Sequence, residues 1–210
     1  MLLDHEAFEH NLLAAVGPTE WLEVSVGAIH GLSFSDAKWG LAAPLLQGKV
    51  LLAPPLSGGT PGIALALGVL APTGSPPVVL SGWNAYGYLA LTQNIADERV
   101  LIHANLGVAA LLTGPERVTV VTAGVGTQVR LYRFVHAVGE VFAGDPFDPR
   151  RVAPSMQVGF RLILSDVVQV DGTAGAALAN DDVHVPLGAA WWGTLGLRLV
   201  TPPLWRLEPR

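Results

Sequence analysis

An all-β fold, an antiparallel up-and-down transmembrane β-barrel of about 10–12 strands, is what the sequence predicts, and three observations carry it. Turn signals cut the chain into many short runs rich in Val, Leu, Ala and Thr. Within the runs, apolar and polar residues alternate with a period of two, the period of a strand. The polar face of each run holds one charge or none, with glycines between, which is too little charge to coat a soluble protein.

Composition sharpens the prediction. Half of the 210 residues are hydrophobic and only 14% are charged, against about 25% in an ordinary soluble domain. Residues 50–96 contain no charged side chain. A transmembrane helix nonetheless fails, because it needs about 20 unbroken apolar residues. Pro54, Pro55, Pro61, Pro72, Pro76 and Pro77 interrupt the stretch. Its best apolar piece, IALALGVLA at 63–71, suits a spanning strand of about 9–11 residues. The net charge of −5 opposes a nucleic-acid surface, and the lack of cysteine excludes disulfides and thiolate sites. The acidic start MLLDHEAFEH has no basic n-region or apolar h-region and does not read as a signal peptide.

Taken in order, the runs are a weak one at 6–16, then 19–32, 39–54, 61–72, 78–94, 99–113, 117–130, 134–144, 155–165, 167–179 and 190–201. In 19–32, Leu22, Val24, Val26 and Ala28 oppose Glu23, Ser25 and Gly27. The next three are apolar runs closed by PPLSGGTPG, PTGSPP and ADER. In 99–113, Val100, Ile102, Ala104, Leu106 and Val108 oppose His103, Asn105 and Gly107. In 117–130, Val121, Ala123, Val125 and Val129 oppose Thr122, Gly124, Gln128 and Arg130. His136 and Glu140 mark the polar face of 134–144; Gln157, Gly159 and Arg161 that of 155–165. Gln169, Asp171 and Thr173 do so for 167–179. In 190–201, Leu195, Leu197 and Leu199 oppose Thr194, Gly196 and Arg198. Eleven runs fall one short of the even strand number of single-chain bacterial barrels, so one strand is missed or merged. No linker or composition shift marks a boundary, and residues 1–210 read as one β-barrel domain.

A barrel in a bilayer inverts a soluble protein: apolar residues face lipid, polar and small ones the lumen, and closure removes strand edges that lipid does not tolerate. The rival is a soluble lipocalin-like β-barrel binding protein, in which Leu195, Leu197 and Leu199 would point inward. Trp21, Trp39, Trp83, Tyr86, Tyr88, Trp191 and Trp192 lie mostly near run ends, as aromatic girdles do.

The stretch EVFAGDPFDPRRVAPSMQVGFRLILSDVVQVDGTAGAALA, followed by WWGTLGLRLV, resembles the last hairpins of bacterial outer-membrane β-barrels. The similarity is to the transporter-like family of the meta-pathway of phenol degradation. The matching positions are Glu140, then Gln157, Gly159, Arg161, Leu164, Ser165, Asp166, Gln169 and Asp171, then Gly196, Leu197 and Arg198. The resemblance implies an outer-membrane location and passage of small apolar or aromatic molecules. One departure is that the last run is followed by TPPLWRLEPR rather than ending on an aromatic residue.

The residues expected to line the lumen are Glu23, Lys49, Asn84, His103, Asn105, Arg130, His136, Glu140, Arg161, Asp171 and Arg198, together with Tyr86, Gln128, Gln157 and Gln169. They act either as a selectivity constriction or as paired polar groups that fill a small barrel. Glu140, Arg161, Asp171 and Arg198 lie on sequential runs and are expected to act together. The connections at 54–62, 72–77 and 144–154 are expected to gate one mouth. No nucleophile–base constellation is present, and the scattered histidines lack convergent metal-ligand spacing. The expectation is therefore a non-enzymatic outer-membrane channel or transporter without a cofactor. Its partners would be membrane lipids, the outer-membrane assembly machinery and small hydrophobic molecules. A plugged barrel with a structural role in the cell envelope is the alternative on the same fold.

Overall fold

The computed structural model describes residues 2–4, 7–33, 38–56, 59–74, 82–97, 99–114, 117–146, 152–179 and 191–199. Its elements are twelve strands: β1 (Leu2–Asp4), β2 (Ala7–Thr19), β3 (Leu22–Ser33), β4 (Trp39–Ala53), β5 (Gly62–Leu70), β6 (Asn84–Ile95), β7 (Val100–Leu111), β8 (Val118–Tyr132), β9 (Val135–Ala143), β10 (Ser155–Ile163), β11 (Val168–Ala177) and β12 (Trp191–Leu199). Every strand pairs antiparallel with its sequence neighbours, and the sheet closes into a barrel through β1, which sits between β2 and β12. Eleven strands coincide with the eleven alternating runs. The twelfth is β1, whose three residues are too few to display a period.

The two ends of the barrel differ. At one end the chain turns in short steps: 20–21, 96–99, 133–134 and 164–167, with 54–61 somewhat longer. At the other it runs through 34–38, 71–83, 112–117, 144–154 and 178–190. We call these the turn end and the loop end. At the turn end, Ala96 and Asp97 both take left-handed backbone, with φ of 53° and 52°, a conformation rare outside glycine. Arg130 of β8 holds this turn by donating from Nη2 to the Asp97 carbonyl at 3.3 Å. The expected gating of one mouth by 54–62, 72–77 and 144–154 does not hold. The first connection lies at the turn end and the other two at the loop end, because an odd number of strands separates them; residues 75–77 lie outside the described residues.

Side-chain exposure settles which face is which. Leu195, Leu197 and Leu199 are 50%, 67% and 69% exposed, whereas Thr194, the residue just before them, bonds inside the barrel to Thr173 of β11. Leu106 and Val108 of β7, Val121 and Val125 of β8 and Val158 and Phe160 of β10 are likewise exposed at alternate positions. Their intervening residues are buried or half-buried. Such a continuous apolar exterior is far beyond the patches that soluble monomers show. The soluble rival, which needs these leucines inside, is thereby set aside. Trp39, Trp83 and Trp191 stand exposed at the loop end and Trp21, Tyr132 and Phe134 at the turn end, the two-girdle placement of membrane barrels. Two expected girdle residues are corrected: Tyr88 and Trp192 turn inward, as does Tyr86, expected in both places, because they share parity with inward Asn84 and Thr194.

Candidate functional site

The interior has two unlike sides. On β8 to β12, alternate positions place amides, hydroxyls and charges on one inner surface. Arg161 of β10 is the hub: Nε donates to Asp171 Oδ1 at 2.8 Å, Nη2 to Asp171 Oδ2 at 3.2 Å and Nη1 to Gln128 Oε1 at 2.7 Å. Arg161 and Asp171 face each other in the β10–β11 register, so the planar fork meets the carboxylate with both prongs. Gln169, two residues along the same face of β11, donates to both Asp171 oxygens. Gln128 passes its amide to His136 Nδ1 at 3.1 Å. The pair is part-buried, and the flanking amides satisfy further lone pairs and protons that burial withdraws from water.

A second cluster adjoins the first. Gln157 donates to Glu140 Oε2 at 2.9 Å and accepts from Thr173 at 3.2 Å, and Thr173 pairs with Thr194. Gly124 of β8 makes room for it. A Cβ there would stand 3.1 Å from the Asn105 amide and 3.3 Å from Glu140 Oε1, so the two side chains lean over the glycine from opposite flanks.

The other side, on β2 to β7, mixes polar residues such as Gln47, Lys49, Asn84 and His103 with a small apolar patch. Leu13, Gly27 and Leu45 are register neighbours on β2, β3 and β4. Toward the loop end this side is filled. Leu70 is 1% exposed and Tyr86 4%, packed with Ala109, Leu45, Tyr88 and Val120. Tyr86 lies flat over Gly68, where any Cβ would collide with the phenol ring. Its hydroxyl donates to Gln47 Oε1 at 2.8 Å, and it stacks beside Tyr88 with centroids 6.2 Å apart. Asn84, fully buried, donates to the Pro146 carbonyl of the 144–154 loop at 2.8 Å.

Each residue expected in the lumen has a definite place. Glu23 and Lys49 oppose each other across β3 and β4. His103 meets Thr92 Oγ1 at 3.0 Å through Nδ1 and lies within electrostatic reach of Arg161, Glu140 and Lys49. Asn105, Glu140, His136, Arg161 and Asp171 belong to the two polar clusters. Asn84 belongs to the filled loop-end side. Arg130 and Arg198 have inward parity but are exposed near the turn end. Of the four residues expected to act together, Arg161 and Asp171 join directly. Glu140 is in the neighbouring cluster, and Arg198 bonds to no described residue. Three inward polar residues escaped sequence reasoning: Gln47, Thr92 and Asn94. Parity would have found them, since Gln47 lies two before Lys49 and Thr92 and Asn94 extend the face of Asn84.

The sequence matches no protein-family model and no curated protein. Among solved structures, an outer membrane channel from Pseudomonas putida F1 superposes with a TM-score of 0.65. The alignment covers 95% of this chain and 85% of that one at 13% identity. The expected outer-membrane type of β-barrel fold is therefore present.

Proposed function

We propose that the chain is an outer-membrane channel that passes small, apolar or aromatic molecules by diffusion and performs no covalent chemistry. The inversion of its faces carries this reading: exposed leucines outside, a hydrogen-bonded charge network inside. Lipid is the solvent that suits that exterior, and a closed ring is the form in which strands survive it. The fold shared with a known outer membrane channel supports the same reading. The loop end, with its longer connections, would face outward and the turn end the periplasm, as in bacterial barrels. Glu23, Lys49, His103, Asn105, Glu140, Arg161 and Asp171 would line the path.

The test is fractionation followed by reconstitution. Expressed with an export signal, the protein should co-sediment with outer membranes, need detergent for extraction and migrate faster on gels before boiling than after. In planar bilayers it should give unitary conductance steps. A protein soluble without detergent overturns the membrane reading.

One observation favours a second reading. Leu70, Asn84, Tyr86 and Leu111 fill part of the interior at the loop end, and Asn84 is bonded to Pro146 there. A plugged barrel with a structural role in the envelope would show the same fractionation and no conductance.

A further inference from the structure

At the turn end, one register row crosses β8 to β11. Arg130 of β8 pairs with His136 of β9, His136 with Arg161 of β10, and Arg161 with Asp171 of β11. The Arg130 amide donates to the Arg99 carbonyl at 2.8 Å, which continues the β7–β8 ladder by one pair and gives Arg99 the inward parity of Leu101. Three arginines and a histidine thus share one inward row, with a single acid at its far end. That acid is spent, because Asp171 takes both prongs of Arg161 and the amide of Gln169. The histidine is neutral by its bonds. Arg161 Nη1 fixes the oxygen end of the Gln128 amide, so the nitrogen end donates to His136 Nδ1 and the ring proton sits on Nε2. Arg99 and Arg130 are both exposed and form no ion pair to a described residue. Arg130 gives one hydrogen bond, to the Asp97 main-chain carbonyl; Glu98 lies outside the described residues. Like charges directly opposite on paired strands are destabilising, and no described side chain offsets this pair.

We propose that Arg99 and Arg130 hold a small dissolved anion at the turn-end mouth of the lumen and make the channel anion-selective. Their side chains offer N–H groups only, in a fixed planar fork that suits an anion. The neighbouring His136, with its proton on Nε2, adds a donor to the row and no acceptor. Inward parity makes the ligand a solute of the lumen and not the phosphate of a lipid, which would meet the outward face. The other charges at this end leave that sign standing. Glu23 opposes Lys49 in register on β3 and β4, and Arg198, the register partner of Gln169, adds a further exposed cation on β12. Glu20, Arg133 and Asp166 belong to the turns and not to the row. This inference rests on the channel reading and supplies the charge that the mouth admits.

The test uses the full chain reconstituted in planar bilayers of neutral phosphatidylcholine, with potassium chloride as the probe. Under a gradient between dilute solutions, the reversal potential should take the sign of chloride preference. The preference should fade in about 1 M salt, where charges are screened beyond about 3 Å. Arg99→Gln should lower the chloride-to-potassium permeability ratio by roughly threefold or more, the factor for one unit charge at about 7 Å in water. Adding Arg130→Gln should lower it further, whereas lysine at both positions should keep the wild-type sign. Arg117→Gln, an equal loss of charge at the loop end, should leave the ratio unchanged. Every variant should keep the heat-modifiable gel shift that reports a folded barrel. Should the double variant fail to fold, Arg99→Gln alone carries the test, since Arg99 lies in a turn and its side chain bonds to no described residue. Channels that conduct without preferring chloride, that keep the preference in Arg99→Gln, or that lose it equally in Arg117→Gln overturn this inference alone. A wild-type barrel without conductance overturns the channel reading and this inference with it.

Discussion

The β8–β12 side of the lumen and the β2–β4 side are built from the same strand geometry, yet one is bonded across several strands and the other is nearly silent. Arg161, Asp171, Gln128, His136 and Gln169 form one continuous hydrogen-bonded network. Leu13, Gly27 and Leu45 have only van der Waals neighbours, and Glu23 and Lys49 bond to no described residue. Rigidity and openness have thus been divided between two sides of one ring. The networked side ties its strands together through side chains, and the quiet side leaves Glu23 and Lys49 unbonded to any described residue.

The largest expected effect breaks the networked side. Arg161→Ala strips the donor from Asp171 and Gln128 together and leaves a carboxylate uncompensated. The pair is about a third exposed, so the three lost bonds are worth about 1–1.5 kcal/mol each, or about 3–4 kcal/mol together. The variant should unfold at markedly lower urea in detergent, whereas Lys49→Ala on the quiet side should move the midpoint little. Equal losses would show that the two sides do not differ as described.

A second pair of substitutions tests which solvent meets each face. Leu12 and Leu13 are adjacent on β2 and equally exposed, at 65% and 61%, but point to opposite faces. Leu12→Lys places a charge against lipid and should cost about 2–4 kcal/mol if that position lies at the bilayer midplane. Leu13→Lys places it in the lumen and should cost little. Folding titrations into lipid vesicles distinguish them, and similar costs for both would contradict the assigned faces.

The smallest effect refines the networked side. Thr194→Val removes one partner of the Thr173 hydroxyl while keeping shape, at about 1 kcal/mol. Thr173 still donates to Gln157, so the unfolding midpoint should fall only slightly and the conductance should hold. A large change would mean that the two polar clusters act as one unit.

Much of this was legible in the sequence, for a definite reason. Strand period is local, so Leu195, Leu197 and Leu199 opposite Thr194 and Arg198 could be assigned without any partner in view. Charge poverty then decided which face met lipid. What escaped was either too short or too distant. Leu2–Asp4 spans three residues and carries no period. Gln128 reaches Arg161 across an intervening strand, and Asn84 reaches Pro146 from β6. Neither contact has a sequence signature. Tyr88 and Trp192 misled, and Tyr86 was read both ways, because aromatic side chains suit both a lipid interface and a lumen; only counting parity from Asn84 and Thr194 separates the two. Arg130 and Arg198 have the right parity, but the sequence does not say how far a strand projects beyond the ring.

The three residues of β1 also set a timetable. Leu2 pairs with Thr194 and Leu3 with Gly193, so the bonds that complete the circle join residues far apart in sequence. Every other seam is a neighbour-to-neighbour hairpin that can zip as soon as its turn forms. Loop-closure entropy grows with the length enclosed, and such non-local pairing is slow. Circularisation is therefore the concluding event of assembly, and a folding assay that follows the β1–β12 contact should lag one that follows the β6–β7 hairpin.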